Sequence, residues 1–198
     1  MIDEIFQQIC EHLDKKNEIR ESIITKSRTI IQNCGKGIKL VHSRNYEEVK
    51  EIITKNEVAL TLLSNEIDAH TSELFFKSNI FTAYQEQFEL IILYSLITKN
   101  EYPSYKYLQA PVDAYLFGLC DAIGELRRFA LDSIRRNDIE DSERVLKFIE
   151  EIFENLTTLN YPNGLIPNLR HKIDVARVLI ERTRGDVTMA WVMLRNKS

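Results

Sequence analysis

Four acidic residues, in two pairs, carry the spacing that could do chemistry. Glu86 and Glu89 lie three apart in Tyr84-Gln85-Glu86-Gln87-Phe88-Glu89, and Asp121 and Glu125 lie four apart in Asp121-Ala122-Ile123-Gly124-Glu125. On a helix either spacing puts both carboxylates on one face. Glu86 and Glu89 share their face with Leu90, Leu93, Leu96 and Ile97. Two acids therefore run into an apolar stripe, where an unpaired buried carboxylate is costly. Taken alone, the pair reads equally well as two exposed acids in a helix's first turns, where the dipole favours them. Asp121 and Glu125 fall opposite the stripe Val112, Leu116, Leu119, Ile123, Leu126 and Ala130, on the side of Ala114 and Gly118. Those small residues leave room for something to approach. A plain solvated face fits as well, with Arg128 pairing Glu125 at i, i+3.

Together the pairs say more than either alone. Four carboxylates from two facing helices suit a Mg²⁺ or Mn²⁺ ion, since hard cations prefer oxygen ligands. Such a site acidifies a bound water and clamps a phosphoryl oxygen, the chemistry of metal-dependent nucleases. A ferritin-like di-iron centre needs Glu-x-x-His pairs. None of His12, His42, His70 and His171 has a Glu three residues before it, so that centre is excluded. The sequence also lacks H-E-x-x-H, G-x-S-x-G and a P-loop. Cys10, Cys34 and Cys120 are odd in number and contain no C-x-x-C. This argues against a zinc site or disulfide framework and for a reducing interior.

The elements that must position these acids are helices. Only 6 of 198 residues are Gly and 4 are Pro, against roughly 7% and 5% in an average protein. That scarcity nearly excludes an all-β fold and weakens an α/β one, whose turns and phosphate loops consume both residues. Apolar residues recur at three- and four-residue spacing almost throughout. The first helical stretch runs from Ile2 to about His42, with a break expected at Asn17 or at Cys34-Gly35-Lys36-Gly37. After a polar hinge at Ser43-Arg44-Asn45, a second helix runs from Tyr46 to about His70. A third, from about Asn79 to Thr98, carries the first acidic pair. The tyrosine-rich connector Tyr102–Gln109 has room for a short helix. Pro111 suits the first turn of the helix carrying the second pair, which reaches about Arg136. Asp141 or Ser142 is expected to cap the next helix, which reaches about Thr157. A loop follows at Tyr161–Pro167. A helix from about Asn168 to Arg184 is then separated by Gly185-Asp186 from a terminal one. The expectation is an all-α, single-domain bundle of six or seven helices over residues 1–198.

With 26 Lys+Arg against 30 Asp+Glu, the net charge is −4, which argues against a generic basic nucleic-acid-binding protein but not against a local basic surface. Met1-Ile2-Asp3-Glu4 lacks the basic start of a signal peptide, and no stretch reaches the length of a membrane span, so a cytoplasmic, membrane-free protein is expected.

The acidic motifs carry a resemblance. Tyr84-Gln85-Glu86-Gln87-Phe88-Glu89 resembles the acidic helix of the translin family, closest to its catalytic branch, translin-associated factor X. Pro111-Val112-Asp113-Ala114-Tyr115-Leu116-Phe117-Gly118 is similar to the segment ahead of that family's second acidic cluster. Asp121-Ala122-Ile123-Gly124-Glu125-Leu126 is similar to its D-x-x-G-E-L element. Asp132-Ser133-Ile134, Asn137-Asp138-Ile139, Lys26-Ser27-Arg28-Thr29-Ile30 and Lys39-Leu40-Val41-His42 extend the likeness over roughly Ser22 to Arg184. The resemblance implies a seven-helix subunit of the translin type in a hollow, octamer-like homo-oligomer. It also implies Mg²⁺-dependent endoribonuclease activity facing the interior, with Glu86, Glu89, Asp121 and Glu125 as catalytic acids and metal ligands. Translin itself carries a basic residue where Glu89 stands. All four acids are present here, so the chain reads as the active branch, and its compact connector reads as a minimal prokaryotic or archaeal form.

RNA needs cations on its phosphates. Arg28, Lys36 and Lys39 share one face if the first helix is continuous, and Arg128 shares a face with Asp121 and Glu125. These four are the candidate RNA contacts, with solvated surface or intrahelical pairing as the competing reading. Tyr84 and Tyr115 are candidates for stacking on single-stranded RNA, and equally core residues. Cys120 reads as a small hydrophobe, and Met189, Trp191 and Met193 as a patch docked on the core or on a neighbouring subunit. Two other readings stand beside the endoribonuclease: a non-catalytic translin-like RNA- or single-stranded-DNA-binding oligomer, and a helical scaffold.

Overall fold

The computed structural model describes residues 2–70 and 74–195, with side chains described at 2–67 and 80–194. Among the described residues there are six helices and no strand: α1 (Ile2–His42), α2 (Tyr46–His70), α3 (Leu74–Lys99), α4 (Val112–Arg135), α5 (Ile139–Thr157) and α6 (Leu169–Arg195). α3 and α4 pack on each other at the centre. α1 and α2 cover α3, and α5 and α6 cover α4. None of these helices is long and apolar enough to cross a membrane.

The apolar pattern explains that arrangement. Past Glu89, α3 is apolar nearly all round, and Leu90, Ile91, Ile92, Leu93, Leu96 and Ile97 are all buried, as a helix enclosed by neighbours requires. One polar seam ties it to its covers. Asn56 on α2 donates to Gln87 Oε1 on α3 at 2.9 Å, Gln87 Nε2 donates to the Ile53 carbonyl, and Asn33 on α1 donates to Asn56 Oδ1 at 3.0 Å. Gln87 and Asn56 are fully buried, so this network specifies the register of three helices.

Several boundaries differ from the sequence expectation, each for a physical reason. α1 is unbroken. Gly37 does not end it but lets it approach α3, since a Cβ there would lie 2.7 Å from a Leu90 methyl. Arg44, at φ 61°, makes the turn into α2. The connector 100–111 forms turns instead of a helix, entered and left through Asn100 and Gln109 in the left-handed region. Pro111 sits just before α4, not in its first turn. α5 is capped by Asp138, three or four residues before the expected Asp141 or Ser142: Asp138 accepts from the Asp141 backbone N–H at 3.0 Å. α6 runs through Gly185-Asp186, held there by an Arg127–Asp186 ion pair at 2.8 Å. Met189, Trp191 and Met193 are exposed on α6 instead of docked on the core.

The largest correction concerns α4. The side bearing Ala114 and Gly118 is not solvated; it is the contact face on α3. A Cβ at Gly118 would meet Phe88 Cβ at 2.7 Å, the Gln85 carbonyl at 3.0 Å and the Glu89 backbone nitrogen at 3.1 Å. The space that Gly118 leaves is filled by the helix carrying the first acidic pair. Gly118→Ala is expected to destabilise the protein by about 1–3 kcal/mol, because backbone must move apart. Gly124→Ala, where a Cβ meets nothing within 4 Å, is expected to stabilise it by up to about 1 kcal/mol through helix propensity. Urea titrations of the two variants check both signs.

Candidate active site

The close crossing at Gly118 sets the two acidic pairs side by side. Glu86 and Glu89 come from α3, and Asp121 and Glu125 from the facing turns of α4. Glu89 is the most enclosed, at 8% exposure, and the other three are half-buried.

Their electrostatics show that they form one cluster. Burial pushes the Glu89 carboxyl up to about 8, and the negative charges of Glu86, Asp121 and Glu125 add to the push against a smaller opposing pull from Lys172. Glu86 is raised as well, by burial and then by Asp121. Glu125 shifts the other way: a hydrogen bond from His42 holds it below the usual carboxylate range. Burial lifts the Cys120 thiol to about 12, so it behaves as an inert hydrophobe.

Three residues that the motif analysis did not assign to the site hold these acids. Lys172 on α6 reaches Asp121 Oδ1 at 2.5 Å while its ammonium sits over the Phe117 ring. Gln85 Nε2 donates to Asp121 Oδ2 at 2.6 Å. His42, the last residue of α1, donates from Nε2 to Glu125 Oε2 at 2.6 Å, since an ionised carboxylate can only accept. The His42 ring leans on Phe129 at 6.1 Å, and its buried Nδ1 lies 3.8 Å from Asp132 Oδ2 with no hydrogen bond. His42 and Gln85 stand inside the quoted motifs, but their partners lie 83 and 36 residues away and no spacing rule reaches them. Nothing in the sequence signals Lys172.

Of the candidate RNA contacts, Arg128 lies at the site: it is 3.7 Å from Glu125 Oε2 and more than half exposed. Arg28, Lys36 and Lys39 are exposed on one stripe of the unbroken α1. Lys36 is paired with Glu48, and among the described residues none of the three pairs with the four acids. Tyr84 is buried. Tyr115 packs edge-on against Phe88 and donates to the Pro103 carbonyl. Neither offers an open stacking face.

Among the described residues, no three His, Cys, Asp or Glu side chains are gathered as around a metal ion. Asp121 is drawn to Lys172 and Gln85, and Glu125 to His42. The donor chemistry nonetheless fits a hard divalent cation. All four candidate groups are carboxylates, and Glu86 and Glu89 make no hydrogen bond or ion pair with another described residue. Burial and, after it, the negative charges of Glu86, Asp121 and Glu125 drive Glu89 toward its neutral form.

The shift of Glu89 has a signed consequence. Below its ordinary value of 4.5 the group is protonated in both folded and unfolded chains. Between 4.5 and about 8 the unfolded chain ionises it while the fold retains the proton. Its contribution to stability therefore falls as pH rises through that window. In EDTA, Glu89→Gln is expected to melt above the wild type at pH 8, with the gap closing toward pH 4.5; thermal melts at both ends of the range test this.

Residues 18–183 match the Translin family. An uncharacterized protein of Methanocaldococcus jannaschii, MJ0175, is 32% identical over 181 residues, covering 90% of this chain and 79% of its own length. Translin-associated protein X of Pongo abelii is 22% identical over 77% of this chain and 66% of its own. The crystal structure of AfC3PO superposes with a TM-score of 0.82, and AfC3PO in complex with duplex RNA with 0.79; each is 30% identical and the alignments cover 95% of this chain and 97% of theirs. Apo-NeC3PO, at 22% identity, shares the fold with a TM-score of 0.83 over 93% of this chain and 96% of its own. The helical fold, the two acidic motifs at its central crossing and the match over most of the length agree: the chain belongs to the Translin family.

Proposed function

We propose that this protein is a Mg²⁺-dependent endoribonuclease of the translin-associated factor X type, cutting single-stranded RNA inside a hollow homo-oligomer, with an octamer favoured. The observation that carries the reading is the four-carboxylate cluster across the α3–α4 crossing, in which burial, reinforced by the charges of Glu86, Asp121 and Glu125, raises Glu89 to about 8. The kinship with translin-associated protein X and the RNA held by a relative at 30% identity support it.

Glu86, Glu89, Asp121 and Glu125 would hold Mg²⁺, or Mn²⁺ in its place. The ion would supply Lewis acidity at a phosphoryl oxygen and acidify water at neutral pH. The chain's own groups prepare the site. His42 fixes the Glu125 carboxylate in its ionised form. Gln85 and Lys172 hold the Asp121 carboxylate in place. Arg128, exposed next to Glu125, is placed to take a phosphate oxygen of the RNA by a charge-assisted hydrogen bond.

The Lys172–Asp121 ion pair favours a second reading, a translin-like oligomer that binds RNA or single-stranded DNA without cleaving it, because the lysine already neutralises one of the four acids.

Labelled single-stranded and duplex RNA, incubated with the protein in Mg²⁺, in Mn²⁺ and in EDTA, separates the two. Cleavage in metal and none in EDTA is expected, together with a high-mass assembly. Replacing all four acids with Ala should abolish cleavage while leaving the mass unchanged. Cleavage at the wild-type rate in that variant would overturn the proposal, and RNA retention without cleavage by the wild type selects the second reading. Arg128→Ala is expected to weaken RNA binding on every sequence and to reduce the slope of log K against log salt by about one.

A further inference from the structure

Lys172 is not placed as a surface lysine is. It lies in the first turn of α6, where its backbone N–H donates to the Asn168 carbonyl at 3.1 Å and its neighbours Leu169 and Ile173 are buried. From that anchored turn its four-carbon stem reaches the acidic seam. The side chain is 26% exposed, against 51% for Lys26 and 60% for Lys36 in their pairs with Glu66 and Glu48. A pair so enclosed is screened less by salt than those two. The ammonium carries three donors. One meets Asp121 Oδ1 at 2.5 Å, and among the described residues the others meet no acceptor. The Phe117 ring, itself set edge-on against Phe81, holds the cation with Nζ 5.4 Å from its centroid.

Both Asp121 oxygens are engaged, Oδ1 by Lys172 and Oδ2 by Gln85. A divalent ion taking Asp121 as a ligand must therefore displace a donor. Gln85 is neutral, whereas the ammonium is a like charge to the ion and is repelled wherever on the carboxylate the ion sits. The charge of Lys172 also reaches Glu86 and Glu89, where it opposes the rise that burial causes. With these acids turned to a metal, Lys172 keeps the Phe117 ring, whose attraction for a cation does not depend on Asp121. It then has donors at the edge of the site and no carboxylate to receive them.

We propose that Lys172 is a resident counter-cation that a divalent metal displaces from Asp121, and that its freed ammonium takes a phosphate oxygen of the RNA beside the metal. This role rests on the proposed function for its metal and its RNA, and it sets an order of binding. Before the metal arrives, Lys172 is committed to Asp121. Afterwards phosphate is the anion within reach. Pairing and metal binding are alternatives at one carboxylate, so each weakens the other by the same factor. A plain strut between α6 and α4 has a different signature: its loss costs stability and leaves metal affinity where it was.

Trace acetylation of the full-length wild type, read at Lys172 by mass spectrometry against the exposed Lys147, tests both steps without a substitution. Relative to EDTA, Mg²⁺ is expected to raise the Lys172 rate about fivefold or more, and excess single-stranded RNA added with Mg²⁺ to lower it again. No rise in Mg²⁺, or a rise that RNA leaves untouched, overturns the inference. Lys172→Met keeps an apolar stem over Phe117 without the charge. In a Mn²⁺ titration followed by electron paramagnetic resonance it is expected to bind the ion at least about fivefold more tightly than the wild type, while Lys172→Arg binds it no more tightly. Equal or weaker Mn²⁺ binding by a Lys172→Met protein that still melts cooperatively overturns the displacement. A wild type that binds no Mn²⁺ overturns the proposed function as well. A wild type that binds Mn²⁺ and cuts RNA, with Lys172 acetylation unmoved by Mg²⁺, removes this role only.

Discussion

At Gly118 the backbone of α4 lies against α3 with no side chain between them, and the rest of the molecule is arranged around that approach. A Cβ there would strike Phe88 Cβ and the α3 backbone. The absence of a side chain brings the turn carrying Asp121 level with the turn carrying Glu86 and Glu89. The apolar residues that follow Glu89 need cover on every side, which α1, α2 and α4 supply. The stripe of α4 facing the other way is closed by α5 and α6. A single close contact thus determines both the order of packing and the meeting of the four acids.

That meeting opposes folding. Four carboxylates in a half-buried seam repel one another and lose hydration. The structure offsets part of the cost from outside the seam: Lys172 comes from α6, and His42 from the end of α1. The compensation is uneven. Glu125 is held ionised by its histidine, Asp121 has a lysine and a glutamine, and Glu89 has no direct partner and moves toward its neutral form. Proteins tolerate such local conflict at functional positions, and the function proposed above places this one there. Here the stability that the α3–α4 crossing contributes is partly offset by the charge it gathers.

The same division between interior and surface appears at the helix ends. The buried Asn33–Asn56–Gln87 network leaves α1, α2 and α3 one register, so the direction in which α1 leaves the bundle is determined as well. Its first turns, residues 2–15, leave the bundle with an apolar face that this chain does not bury.

Much of this was legible in the sequence. The scarcity of Gly and Pro and the three-and-four spacing specify helices because those properties act locally, within one or two turns. The pairing of Glu86 with Glu89 and of Asp121 with Glu125 is likewise local, and the motifs around them were enough to indicate the family. What the sequence misplaced depends on what lies across a helix. Gly37 and Gly185 look like breaks, yet one admits Leu90 and the other sits in an unbroken α6. Gly118 looks like a vacancy for a ligand, yet it is filled by α3. Lys172 and His42 carry no motif of their own, and only folding brings them to Asp121 and Glu125. The helices and their chemistry were thus determined by short-range periodicity. The site was decided by tertiary structure, because charge and packing act through space between residues that the chain keeps far apart.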